Sequence, residues 1–173
     1  MKVGTKSLLF GVHQFVWHPF TVWRAWRHYH KRTPTFWETV AIVVHDWGYW
    51  GCDNMDGEQG ITHPDRGALF IYWLYARTHS GKGRNITQAL NLWELVRCHS
   101  SHHARNIGGS PSALCAPDKL SVLFDPPWWY LLRGCLSGEI GEYITNSPAP
   151  HQSPERWLLW YRSKVKSKYE IAE

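Results

Sequence analysis

Three features of the sequence predict an all-α architecture. Apolar residues recur at three- and four-residue spacing in one segment after another, prolines sit where helices would begin, and strand-like alternation is hard to find anywhere. The 173 residues suit a single domain, 1–173, and 43% hydrophobic against 19% charged residues suffices for a core and excludes disorder by composition.

Pro19 fits the first position of a helix running to about Lys31, with His18 placed as its N-cap. Thr35 to Val44 reads as a second helix, apolar towards its end and leading into His45-Asp46. Gly48 to Gly60, with four glycines, three acidic residues and Asn54, reads as a loop. Pro64 opens a third helix, in which Leu69, Tyr72, Trp73 and Ala76 keep helical spacing until the Ser80–Gly83 turn. Asn85-Ile86-Thr87 matches a glycosylation sequon but reads better as the start of a fourth helix, Thr87 to about His99. Gly108–Pro111 interrupts the pattern, Pro117 to Phe124 is a fifth helix, and another follows Pro126-Pro127. The last runs from Pro154 towards the C-terminus, within a basic aromatic segment (150–173) expected to pack on the bundle. Trp157, Tyr161, Val165 and Tyr169 form its apolar stripe, suited to the bundle or to a second subunit in a homo-oligomer. Arg156, Arg162, Lys164, Lys166 and Lys168 leave an anionic membrane or nucleic acid as the alternative partner.

Composition narrows the function classes. Four widely spaced cysteines without a CxxC pair exclude a disulfide scaffold and read as free thiols. The apolar run Leu8–Val12 is too short for a secretory or spanning segment, so the expected location is the cytoplasm. A formal charge of +5 attracts anions without declaring nucleic-acid binding. The anomalies are 11 histidines and 12 tryptophans.

Histidine and carboxylate together suit transition metals, and a pair of metals can share one carboxylate. His18, His45-Asp46, His63, His99 and Asp118 stand out in order. Singly, His18, His63 and Asp118 could each be a helix-start residue. His45-Asp46, where an apolar helix meets a glycine loop, is expensive to bury unless paired or coordinated. Of His99, His102 and His103, not all can be core residues.

The ordered pattern H…HD…H…H…D resembles the two-metal members of the HD-domain superfamily. His18-Pro-Phe-Thr-Val22 is similar to the family's first-helix motif, His45-Asp46-Trp47-Gly48 to its HD-x-G signature, and His63-Pro64-x-x-Gly67-Ala68 to its HP..GA helix start. His99-Ser100 resembles its HS, and Ala116-Pro117-Asp118-Lys119-Leu120 its A-x-DKL. The likeness spans roughly residues 13–125. It implies one metal on His18, His45, Asp46 and Asp118 and a second on His63 and His99, with Asp46 shared. The ions would be two divalent transition metals, drawn from Mn, Fe, Co, Ni and Zn. His102-His103 is also similar to the HH of cyclic-dinucleotide phosphodiesterases, but Ala104 replaces the acidic residue there and the Tyr-Pro is missing.

The resemblance implies hydrolysis of a small anionic phosphate ester, a nucleotide or a related compound, by metal-activated water. Its alternative is a di-iron oxygenase of the same superfamily, acting on an organophosphonate or a polyol. No GxSxG elbow is present, which favours water over a serine nucleophile. Asp46 and Lys119 are the candidate catalytic residues, Lys119 as a phosphate clamp or else a plain surface lysine. Arg24, Arg66, Arg105, His102 and His103 are candidates for an anionic substrate. Tyr49 and Trp50 could hold a nucleobase, whereas Trp47 is expected to be structural. Asp53, Asp56 and Glu58 would serve as an acid–base or lid group, or simply be solvated.

Overall fold

The computed structural model describes residues 1–79, 85–148 and 153–169, which contain helices and no strand. Eleven α-helices follow in order among them: α1 Val3–Phe10, α2 Trp17–His30, α3 Phe36–Val44, α4 Glu58–Ile61, α5 His63–Thr78, α6 Ile86–Arg97, α7 Ser101–Asn106, α8 Cys115–Phe124, α9 Pro127–Ser137, α10 Glu139–Thr145 and α11 Pro154–Lys168.

Local chemistry sets several boundaries. Thr35 caps α3 by accepting the Glu38 N–H, while the Glu38 carboxylate accepts the Thr35 N–H, a reciprocal capping box. Asn85 accepts the Gln88 N–H, so the sequon residues do start a helix, and Ser100 and Ser153 cap α7 and α11 likewise. Lys31 closes α2 in the left-handed region, at φ 54°.

Four differences from the sequence expectation stand out. The run around Leu8 is a helix, α1, with Leu8 buried against Tyr49 and Met55. α2 begins at Trp17, capped at Val16, so His18 lies inside its first turn and is not the N-cap. The Gly48–Gly60 stretch contains a 3-10 turn, Trp47–Tyr49, and the short α4. α7 and α10, too short for a clear apolar period, were not expected. The Ser80–Gly83 turn lies outside the described residues.

Four apolar clusters among the described residues support the bundle, two of them large. One joins Ala25, Leu120, Tyr130, Ile140 and the inner face of α11, where Trp157, Leu158 and Val165 are buried. The stripe of α11 therefore packs on the chain's own bundle. Its Arg162 also turns inward, donating through Nη1 to the Val122 and Asp125 carbonyls at the end of α8. The other core joins α3, α5 and α6 through Val44, Ala68, Ile71, Leu92 and Val96. All four cysteines are free thiols. Among the described residues no helix is long and apolar enough to cross a membrane.

Candidate metal centre

Six side chains from five parts of the chain converge at helix ends: His18 on α2, His45 and Asp46 just past α3, His63 opening α5, His99 just past α6, and Asp118 in the first turn of α8. All six are buried. One device repeats three times. The last carbonyls of a helix lack intrahelical donors, and an imidazole three residues on fills the vacancy. His45 Nδ1 meets the Ile42 carbonyl at 2.7 Å, His63 Nδ1 the Gly60 carbonyl at 2.6 Å, and His99 Nδ1 the Val96 carbonyl at 2.6 Å. Each Nδ1–H donates outward, which leaves each Nε2 aimed into the centre.

Two glycines let the backbones approach closely enough. A Cβ on Gly67 would stand 2.6 Å from the His45 carbonyl oxygen, and one on Gly48 only 1.9 Å from that of His63. Side chains at either position would push α5 away from the His45-Asp46 corner.

Asp46 lies between two groups. Its Oδ2 is 3.1 Å from His18 Nε2 and 3.0 Å from His45 Nε2, and Asp118 Oδ1 completes that group at 3.3 and 3.5 Å from the same nitrogens. Its Oδ1 is 3.3 Å from His63 Nε2 and 3.4 Å from His99 Nε2, which are 3.1 Å from each other. Closeness here is not hydrogen bonding. His18 Nε2, His45 Nε2 and Asp46 Oδ2 are buried with no hydrogen-bond partner, so these atoms surround a common point without pointing at one another. In the second group, Nδ1–H donation leaves two imidazole lone pairs and a carboxylate oxygen face to face. Both arrangements fit a cation at their focus. Each group keeps its donor atoms within 4.8 Å of one another, and His/carboxylate sets suit divalent transition metals.

The electrostatics agree. Burial alone would lower His45, yet the Asp46 and Asp118 carboxylates carry it up to about 10. Burial pushes His63 down to about 4 and His99 down as well. Burial opposes ionisation of Asp46 and Asp118, but His45 and His13 hold Asp46, and Lys119 and the imidazoles hold Asp118, well below the usual carboxylate range. The first group thus carries a net demand for positive charge, which a proton or a metal ion can meet.

Two spaces reach the centre. A mouth of about 530 Å³ opens over His63, His99, Ser100, His102 and Asn146. A second chamber, of about 250 Å³, is lined by His18, Tyr130, Tyr143, Trp157 and Tyr161. His13, Tyr49, Asp56, Asp118 and Lys119 line both. Lys119 Nζ donates to Asp118 Oδ2 at 3.0 Å, and this carboxylate raises the lysine well above its usual range.

The other expected residues divide. Tyr49 is buried and stacks on His63 at 3.7 Å between ring centroids, so it supports a ligand with one face. Trp50 is 55% exposed beside Phe15 and lines neither space, which removes it from the site. Trp47 packs against Phe15 and Phe70, as expected of a structural residue. Arg66 is turned to the Gly48 and Trp50 carbonyls, clasping the loop away from both spaces. His103 is buried against Asp65, 3.2 Å away, and it is His99 that enters the centre. His102 lines the mouth and pairs with Asn106, while Arg105 is exposed and lines neither space. Arg24 lies over Phe124 at a separate surface, Asp53 pairs with Lys2, and Glu58 is exposed in α4.

Two residues that were not expected, His13 and Glu139, adjoin the centre. His13 Nδ1 is 2.8 Å from Glu139 Oε2, and the fully buried Glu139 also accepts the Val12 N–H at 2.8 Å and the Ser137 hydroxyl at 2.7 Å. Burial lowers His13, but Asp46 and Glu139 raise it above its usual value. The only sequence sign was a histidine ending an apolar run; Glu139, far along the chain, left none.

No protein-family model, curated protein or solved structure matches the chain.

Proposed function

We propose that the chain is a metal-dependent phosphohydrolase of the HD type, cleaving a phosphate ester with an activated water. The observation that carries this reading is Asp46, whose two oxygens each face a separate histidine pair. A carboxylate so divided suits two cations, one for each histidine pair. His18, His45 and Asp118 would hold one with Asp46, and His63 and His99 the other. Such ions would supply Lewis acidity towards phosphoryl oxygens and lower the pKa of a bound water.

The rest falls to the chain's own groups. Asp46 anchors both halves of the centre and so sets where the attacking water stands relative to phosphorus. The carbonyls of Ile42, Gly60 and Val96 hold three imidazoles in the ligating tautomer. Lys119 brings a positive charge to the wall shared by both spaces, where it can take up charge developing on phosphoryl oxygens. Tyr49 stacks on His63 and shields its face from water. Ser100 lines the wider space and caps α7 by accepting the His103 N–H, and among the described residues its hydroxyl has no hydrogen bond to a base that could activate it. Water, not a serine, is therefore the nucleophile in this reading.

A panel of phosphate esters assayed with Mn, Fe, Co, Ni, Zn or Mg, scored for phosphate release, tests it. In labelled water the first turnover should place one solvent oxygen in the phosphate. Oxygen consumption with an organophosphonate, a trapped phosphoserine, or no metal binding at all would overturn it.

A further inference from the structure

We infer that this site prefers, over nucleotides, a compact phosphate monoester whose small, hydroxylated alcohol part lodges in the chamber walled by Tyr130 and Tyr161. The inference rests on the hydrolase reading above and narrows its substrate. Turnover would break the bond between phosphorus and the ester oxygen, join the water oxygen to phosphorus, and return that ester oxygen to the alcohol with a proton from the water.

Size is the first ground. The wider space, about 530 Å³, falls within the range of roughly 300–1,000 Å³ usual for drug-sized ligands, but the chamber that carries Tyr130 and Tyr161, where the alcohol part lodges, is about 250 Å³ and lies below it. A short polyol fits such a space more closely than a nucleoside does.

Its aromatic residues are the second. A base needs a free ring face. Trp157 is stacked by Tyr143 at 5.4 Å and by Tyr161 at 5.3 Å between centroids, and is only 5% exposed. Tyr49 spends a face on His63, and Trp50 is outside. Trp157 and Tyr49 thus spend ring faces within the protein and leave less aromatic surface for a base.

Charge is the third. Among the described residues lining the two spaces, Lys119 is the only lysine or arginine, it already faces Asp118, and Asp56 adds a carboxylate to the shared wall. A triphosphate would bring several more negative charges than the metals and one lysine can meet. A monoester would not.

The fourth ground is the hydroxyls. Tyr143 donates to Glu139 at 3.1 Å. The hydroxyls of Tyr130 and Tyr161 make no hydrogen bond among the described residues, and both line the chamber together with Lys119. A phenol can donate and accept, so two such groups suit the hydroxyls of a small polyol and leave an apolar ligand with unpaired partners.

The test uses metal-loaded full-length protein with inorganic phosphate, glycerol 1-phosphate, AMP and ATP, read by calorimetric binding and by phosphate release. Glycerol 1-phosphate should bind at least tenfold more tightly than AMP and be cleaved with the higher kcat/KM. Tyr130→Phe/Tyr161→Phe, which removes two hydroxyls without changing the packing, should weaken glycerol 1-phosphate more than inorganic phosphate. AMP or ATP matching glycerol 1-phosphate, or equal weakening of both probes, would overturn the inference and leave the hydrolase reading standing. If the metal-loaded protein bound and cleaved none of the four, the hydrolase reading itself would fail, and this inference with it.

Discussion

Metal binding to the His45 group should release a proton, and the structure says how much the affinity should change with pH. His45 must be neutral at Nε2 to act as a ligand, whereas without a cation the Asp46 and Asp118 carboxylates hold it at about 10. At pH 7.5 it is therefore almost wholly protonated, and an incoming ion displaces close to one proton from it. Asp46 and Asp118, far below their usual range, have none to give. His63, at about 4, and His99, lowered by burial, are already neutral. Between pH 6.5 and 8.5 the affinity of the first group should rise about tenfold per unit, roughly a hundredfold or about 2.7 kcal/mol in all. From His63 and His99 the second group gains no such slope. Calorimetric titration with Co(II) in two buffers of different ionisation enthalpy measures the proton directly, and repeating it across pH gives the slope. Tight binding with the same enthalpy in both buffers and an affinity flat across this range would refute the assignment of His45 as a ligand.

Asp46→Asn keeps the side-chain shape but removes the shared charge, and at an effective dielectric of about 20 one unit charge near 4 Å is worth about 4 kcal/mol. Metal content by elemental analysis should fall at both groups, with affinity down on the order of a thousandfold, whereas His103→Ala, bound to Asp65 outside the centre, should leave it unchanged. Gly67→Ala presses a methyl onto the His45 carbonyl, so denaturant unfolding should show a loss of about 1–3 kcal/mol together with weaker metal binding. Arg32 holds Glu38 at about 2 against an ordinary 4.5, so this pair stabilises the fold above pH 4.5 and ceases to as pH falls towards 2. Glu38→Gln should therefore cost about 1 kcal/mol at pH 7 after allowance for solvent screening, and nothing near pH 2, measured by denaturant unfolding at each pH.

What could be read in the sequence was what depends on neighbours along the chain. Helix starts at Thr35, Asn85 and Ser153 rest on a side chain reaching a backbone N–H three residues away, a purely local event. The residue types of the centre were legible because buried imidazoles and carboxylates in an apolar chain demand a partner. Tertiary structure decided the rest. Asp46 faces two histidine pairs only because α2, α5, α6 and α8 bring their ends to the corner after α3, and two glycines let them come that close. His99 enters the centre and His103 does not because the Val96 carbonyl at the end of α6 orients the former, while α7 turns the latter onto Asp65. Glu139 meets His13 from 126 positions along the chain, and Trp50 faces away while Tyr130 and Tyr161 line the chamber. A ring or a carboxylate carries the same chemistry on any face of a helix; which face looks inward is settled by how the helices pack.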